Sequence, residues 1–289
     1  INLELFTGKT KEINKKKIKL NLQNSNIQMI FGTHSLFQKK TIFNKLGYII
    51  IDEQHKFGVK QRKLLSDKGG SNCDILLMSA TPIPRTLTMT IYGDMDLSII
   101  NEKPKNRKEI ITYSKREDNI NDVIAFVKKE INNKNQVFWV CPLIDESKKV
   151  DHQSAIQKFK FLESFFPKKV AILHSKIDQE EKELILKNFL NKKYDILVST
   201  TIIEVGIDFP NANTIIIENS NKFGLSQLHQ LRGRIGRGDV QGTCILLYKK
   251  NLSEKARKRI KILKSSNDGF LIAEEDMKLR GFGDIIGFK

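Results

Sequence analysis

What most constrains the fold of this chain is an alternation. Short apolar runs rich in Ile and Val recur between amphipathic helical patterns almost throughout. That order demands a parallel sheet covered by helices, because parallel strands need long crossovers and bury both faces. The early runs are 27–31, 48–51 and 75–78, and a helical stretch opens near Pro84, where a first-turn proline costs little. The polar, Pro-containing segment Asn101-Glu102-Lys103-Pro104-Lys105-Asn106-Arg107 reads as a linker. Alternation restarts with a strand over 110–113, a helix over 119–131 and a strand over 137–140. Further strands are predicted over 170–173, 196–199, 214–217 and 244–248, with helices over 179–190 and 226–232 between them. After Tyr248 the strand signals end, and 253–264 and 272–280 read as two helices joined by the turn Asn267-Asp268-Gly269. The chain is therefore expected to be α/β, divided as 1–102, 103–250 and a helical hairpin over 251–289.

With 289 residues, 39% of them hydrophobic, the chain can bury about two modest cores. It has neither an apolar stretch of about 18 residues nor a signal-peptide pattern, so no membrane partner is expected. Cys73, Cys141 and Cys244 lie far apart without CxxC spacing, which argues against zinc or a disulfide framework and fits a reducing cytoplasm. The net charge of +17 suits a polyanionic partner, although 40 of the 50 basic residues are Lys, a bias that AT-rich coding also produces. The chain opens on Ile1 in mid-pattern and stops after Gly287-Phe288-Lys289, and so reads as an internal piece of a longer protein.

Two stretches carry the chemistry. Asp52-Glu53-Gln54-His55 leaves directly from the run Tyr48-Ile49-Ile50-Ile51. An acidic pair at the end of a buried strand is where a phosphate-transferring site holds Mg²⁺ through water and places a base for the attacking water. Asp52 takes the first role and Glu53 the second, with Gln54 and His55 coupling the site to the other domain. The bland alternative is a charged strand exit. Gln230-Leu231-Arg232-Gly233-Arg234-Ile235-Gly236-Arg237 is the second stretch. Arginine keeps its charge and donates in a planar fork, so these residues suit a terminal phosphate better than lysine would. A basic helix end that binds any anion is the alternative.

Weaker stretches support these. Ser79-Ala80-Thr81 ends the next predicted strand, where the hydroxyls of Ser79 and Thr81 can relay the nucleotide state. Ser199-Thr200-Thr201, followed by Gly206 and Asp208, suits contact with a phosphate backbone; Asp208 could also meet a ribose or a metal-bound water. Gly32-Thr33-His34-Ser35 is the equivalent loop in the first half. Either loop could be an ordinary strand-to-loop turn. Thr7-Gly8-Lys9-Thr10 is a decoy: a P-loop needs Gly where this chain has Leu3, and no apolar strand is expected before it.

In this order the motifs resemble superfamily 2 helicases of the DExH type. The wording is closest to the RecG family of bacterial branched-DNA helicases. Ile50 through Val59, Cys141-Pro142-Leu143-Ile144, Ser199 through Asp208, Phe223 through Arg234, and Ala273 through Gly281 with Gly283-Asp284 carry the resemblance. The resemblance implies two RecA-like domains, the first incomplete here, with ATP and Mg²⁺ between them and a helical hairpin that converts closure into a stroke along DNA. By it, Gln230, Arg234 and Arg237 complete the nucleotide site, with Gly206 and Asp208 beside it. Thr33, His34, Thr200 and Thr201 follow phosphates, and Arg280 transmits the stroke. It also implies a monomeric enzyme of the bacterial cytoplasm that acts on branched or duplex DNA in repair and recombination. The upstream P-loop and wedge domain of the parent chain are absent from these residues. Three other readings stay open: a duplex translocase like the transcription-repair coupling factor, an RNA helicase, and a non-hydrolysing DNA-binding module.

Overall fold

A computed structural model describes residues 1–53, 64–65, 67–79, 96–100, 102, 108–142, 148–200 and 209–280, with backbone alone at 71, 148–153 and 280. The chain falls into two compact units, Ile1–Ala80 and Thr81–Lys289.

In the first unit, β1 (Leu3–Phe6) and β2 (Met29–Gly32) pair in parallel, and α1 (Glu12–Gln23) makes the crossover. Phe6 packs against Ile18 and Leu22, one turn apart on α1. A second parallel pair joins β3 (Tyr48–Ile51) to β4 (Asp74–Leu77). Strand alternation sends Ile49 and Ile51 inward onto Phe37 and Leu65. The opposite faces stay open: Leu3, Leu5, Phe31, Tyr48 and Ile50 are each more than half exposed. One expectation is overturned here. A strand, β1, does directly precede Thr7-Gly8-Lys9-Thr10, because Leu-Glu-Leu-Phe alternates with the strand period rather than forming an apolar run. Leu3 in place of glycine still excludes a P-loop.

The second unit is built on a six-stranded parallel sheet in the order β5-β10-β9-β6-β8-β7. Its strands are β5 (Ile111–Arg116), β6 (Gln136–Val140), β7 (Val170–Leu173), β8 (Ile196–Ser199), β9 (Ala212–Ile217) and β10 (Thr243–Tyr248). Central strands β6, β8 and β9 are buried along their whole length, as a sheet covered on both faces requires. Val137, Trp139, Val198 and Ile216 face α2 (Ile120–Asn132) and α3 (Lys148–Phe165). Phe138, Val140, Leu197 and Ile215 face the other layer. That layer holds α4 (Gln179–Leu190), α5 (Leu225–Arg232), α6 (Glu254–Ser265) and α7 (Gly269–Arg280). The last two helices form the expected hairpin. Asp268 begins α7 by accepting from Phe270 N–H at 2.8 Å. Among the described residues no helix is long and apolar enough to cross a membrane.

Candidate functional site

Asp52 and Glu53 stand at the C-terminal end of β3, where buried Ile51 fixes the strand exit. Asp52 Oδ1 accepts from Glu53 N–H at 2.9 Å. Glu53 has φ +50, a left-handed conformation that is uncommon for a side-chain-bearing residue and recurs at functional turns. Asp52 Oδ2 has no partner among the described residues. Mg²⁺ is commonly held by one or two carboxylates together with water and substrate phosphates, so a single carboxylate fits that mode. Among the described residues no group of three ligating side chains offers a closed metal cage.

The Thr33–His34 loop follows β2. Gly32 is required at its start: a Cβ there would lie 2.4 Å from Phe6 O. Exposed Thr33 accepts from Leu36 N–H at 3.1 Å, which opens the short 3-10 turn His34–Phe37. Lys68, a residue that sequence reasoning missed, ties this turn to the segment after it. Its Nζ donates to Leu36 O at 2.9 Å, Gln38 O at 2.6 Å and Thr41 O at 2.8 Å. Burial, then nearby Lys19, pushes its ammonium pKa down, and three carbonyls compensate the lost water. Nothing local in the sequence marks this lysine among 40. Ser79, half-buried, lies just past β4.

In the second unit α5 buries Leu225, Leu228 and Leu231 and presents half-buried Gln230. Arg234 and Arg237 flank Ile235, which is fully buried in the core and anchors the loop between them. Gly236 sits at φ +65, and a Cβ there would come within 3.2 Å of Ile110 Cγ1. Gly233 is right-handed helical, so only the second glycine of the motif is conformationally required. Arg232 departs from the expectation that all three motif arginines face phosphate. It is 2% exposed, and Nη1 donates to Leu263 O at 2.6 Å, Ser266 O at 2.9 Å and Thr112 Oγ1 at 3.3 Å. Arg232 Nη2 lies 3.0 Å from His229 Nδ1. It therefore closes the C-terminus of α6, whose last carbonyls lack intrahelical donors. At the other end of α5, Ser226 N–H and Oγ both donate to Asp276 Oδ2 on α7. Arg259 of α6 donates to Phe223 O just ahead of α5. The arginine-bearing helix is thus clamped at both ends by the hairpin.

Ser199 and Thr200, at the end of β8, are 1% and 4% exposed, so their hydroxyls sit inside the unit rather than on an open face. Beside them, at the ends of β6 and β9, Cys141 Sγ approaches Glu218 Oε2 at 3.7 Å and Lys158 Nζ pairs with Glu218 Oε1 at 2.6 Å. Burial, then Glu218, pushes the Cys141 thiol well above its usual range. This cluster joins residues up to 77 positions apart, so no local motif announces it. His55, Thr81, Thr201, Gly206 and Asp208 lie outside the described residues, and Arg280 is described only as the last residue of α7.

Comparison with known proteins agrees with this architecture. The DEAD/DEAH box helicase family model matches residues 1–90, and the helicase conserved C-terminal domain model matches residues 99–239. The ATP-dependent DNA helicase RecG of Thermotoga maritima is 46% identical over 100% of this chain and 37% of its own length. That of Bacillus subtilis is 44% identical over 100% of this chain and 42% of its own length. The chain thus spans about two fifths of these relatives. A solved structure of RecG bound to a three-way DNA junction matches with TM-score 0.73 and 42% identity, over 99% of this chain and 37% of that one. Yeast Dbp5 bound to RNA and ADP BeF3 matches with TM-score 0.64 at 16% identity, over 97% of this chain and 73% of that one, and so shares the fold alone. With its motifs in the expected order on two α/β units, and with this identity along its whole length, the chain belongs to the RecG family of DNA helicases.

Proposed function

We propose that these residues are the motor portion of an ATP-dependent helicase or translocase that remodels branched DNA, as in fork regression and branch migration. The observation that carries the reading is the pairing of two features. A carboxylate pair leaves β3 with Glu53 in a left-handed turn, and a two-arginine loop is rigidly anchored by Ile235. The RecG structure matched above holds a three-way DNA junction, and this supports a branched substrate for the parent of this chain.

Glu53 takes a proton from the attacking water. Asp52 would hold a Mg²⁺ ion through water. Bound there, the ion would supply charge neutralisation at the phosphates. Arg234 and Arg237 neutralise charge that develops on the transferred phosphate, and Gln230 orients the arginine loop. Thr33 and His34 in the first unit, with Thr201 after β8 in the second, follow the phosphate backbone, while buried Thr200 and Ser199 hold the end of β8 from inside. Ser79 and Thr81 relay nucleotide state, and the clamped hairpin carries the stroke outward to Arg280.

ATP hydrolysis by the full-length protein, with four-way-junction DNA compared against linear duplex and RNA, tests the proposal. Strong preferential stimulation by the junction is expected. Equal stimulation by linear duplex would replace the reading with a coupling-factor type of translocase. Stimulation by RNA alone, or by nothing, would overturn it.

A further inference from the structure

A cavity of about 590 Å³ opens beside α6 at the C-terminal ends of β5 and β10. Five cations line it: Arg116 at the end of β5, Lys250 just past β10, and Arg257, Lys261 and Lys264 from α6. No carboxylate is among the lining residues, and Leu252 and Ile260 supply an apolar wall. Among the described residues Lys250, Arg257, Lys261 and Lys264 make no ion pair. Arg116 pairs with Asp118 through Nη2, yet its Nε is buried with no hydrogen-bond partner. An orphaned buried donor inside a ring of like charges is an unfavourable arrangement by itself. An anion that supplies both acceptor oxygens and negative charge relieves both costs.

The layout of the cations selects the kind of anion. Arg257, Lys261 and Lys264 fall on one face of α6 at i, i+4 and i+7, a row about 10 Å long at 1.5 Å per residue. Successive phosphates of one DNA strand advance about 3.4 Å along the axis but also wind around it, so a straight row of this length meets about two of them. Free phosphate occupies one point of such a row.

The cavity is also distinct from the arginine loop. Gly236 and Gly242 lie against each other at the N-terminal ends of β5 and β10, whereas Arg116, Tyr248 and Lys250 mark the C-terminal ends. Six strand residues, roughly 20 Å, separate the two.

We propose that this cavity is a phosphate-backbone site that grips one strand of DNA along α6. It rests on the nucleic-acid-motor reading above. Because α6 is also bonded to α5 through Arg232, and through Arg259 to Phe223 just ahead of α5, DNA held there would bear directly on the arginine-bearing helix.

The test compares two double variants of the full-length protein that lose equal charge. K261A/K264A removes cavity cations. K255A/K258A removes exposed cations that do not line the cavity, one of them already paired with Glu254. Binding of fluorescent junction and duplex DNA is followed by anisotropy from about 50 to about 200 mM salt. Unmodified protein that binds no DNA would overturn the motor reading itself. If it binds, the expected result for K261A/K264A is a Kd raised about tenfold and a salt slope shallower by about 2, one phosphate contact per lysine. K255A/K258A should keep the original slope. An unchanged slope in K261A/K264A, or equal losses in both variants, would overturn the site while leaving the motor reading intact. Amine-acylation footprinting of the unmodified protein gives an independent readout that does not depend on variant folding. DNA should shield Lys261 and Lys264 and spare Lys255. Shielding by inorganic triphosphate but not by DNA would reassign the cavity to a small polyanion and overturn the proposal.

Discussion

Asp276 accepts from both the backbone N–H and the hydroxyl of Ser226, 50 residues away. The residue at the N-cap of α5, Gly224, has no side chain to cap with, so a carboxylate from α7 does the work from outside. With Arg232 bonded into the end of α6, the helix that leads into Arg234 and Arg237 is held by both arms of the hairpin.

The clamp predicts a measurable coupling. D276A and S226A should each destabilise the protein by about 1.5–3 kcal/mol, the range for hydrogen bonds to a charged group. In a double-mutant cycle the pair should couple by about 1–2 kcal/mol, read from denaturant unfolding. Strictly additive effects would deny the clamp.

The three arginines of the motif should separate cleanly. R232M leaves the α6 carbonyls of Leu263 and Ser266 without their donor and should cost about 3 kcal/mol in unfolding. R234A and R237A should lower kcat about 10²- to 10³-fold. Thermal melts beside single-turnover hydrolysis make the comparison.

The two glycines of the same motif should behave differently. G236A forces a side chain into φ +65 beside Ile110 and should cost about 1–2 kcal/mol. At Gly233, whose backbone is helical and whose nearest neighbours stand 3.4 and 3.5 Å from a Cβ, alanine should be tolerated.

For the acidic pair, E53Q in the full-length protein should abolish turnover and spare ATP binding. Steady-state hydrolysis near the original rate would remove Glu53 as the base.

The cysteines set a pH window. Burial pushes the Cys244 thiol up to about 12 from an unfolded value near 9.0, with Arg232 opposing. A raised thiol favours the folded state fully below about pH 9, and that contribution is lost as pH climbs toward 12. Unfolding at about pH 7.5, 9.5 and 11 should show the decline, and C244A should flatten part of it. At about pH 8 a thiol reagent should label half-buried Cys73, slowly because burial and Asp74 raise its pKa too, and should miss Cys141 and Cys244 until the chain unfolds.

Much of the second unit is legible in the sequence because its strands are continuous apolar runs: the predicted 170–173 and 196–199 coincide with β7 and β8. The pattern hides another element. In α1, which opens with Glu-Ile-Asn-Lys-Lys-Lys, only Ile18 and Leu22 further along are buried, so its apolar stripe is too thin to register. Arg232 misleads for a different reason. Its partners lie 31, 34 and 120 positions away, and an arginine beside two glycine-spaced arginines carries no local sign that it faces inward.

The open faces of β1, β2 and β3 have a practical consequence. Leu3, Leu5, Phe31, Tyr48 and Ile50 form wet apolar strips on short paired strands, which is the kind of surface that templates aggregation. The sheet of the second unit is covered on both sides and carries its own two cores. Cut free of neighbouring sequence, the two halves should part company in a test tube: residues 1–80 as sticky material that drops out of solution, and the remainder as a well-behaved fragment that crystallographers could handle.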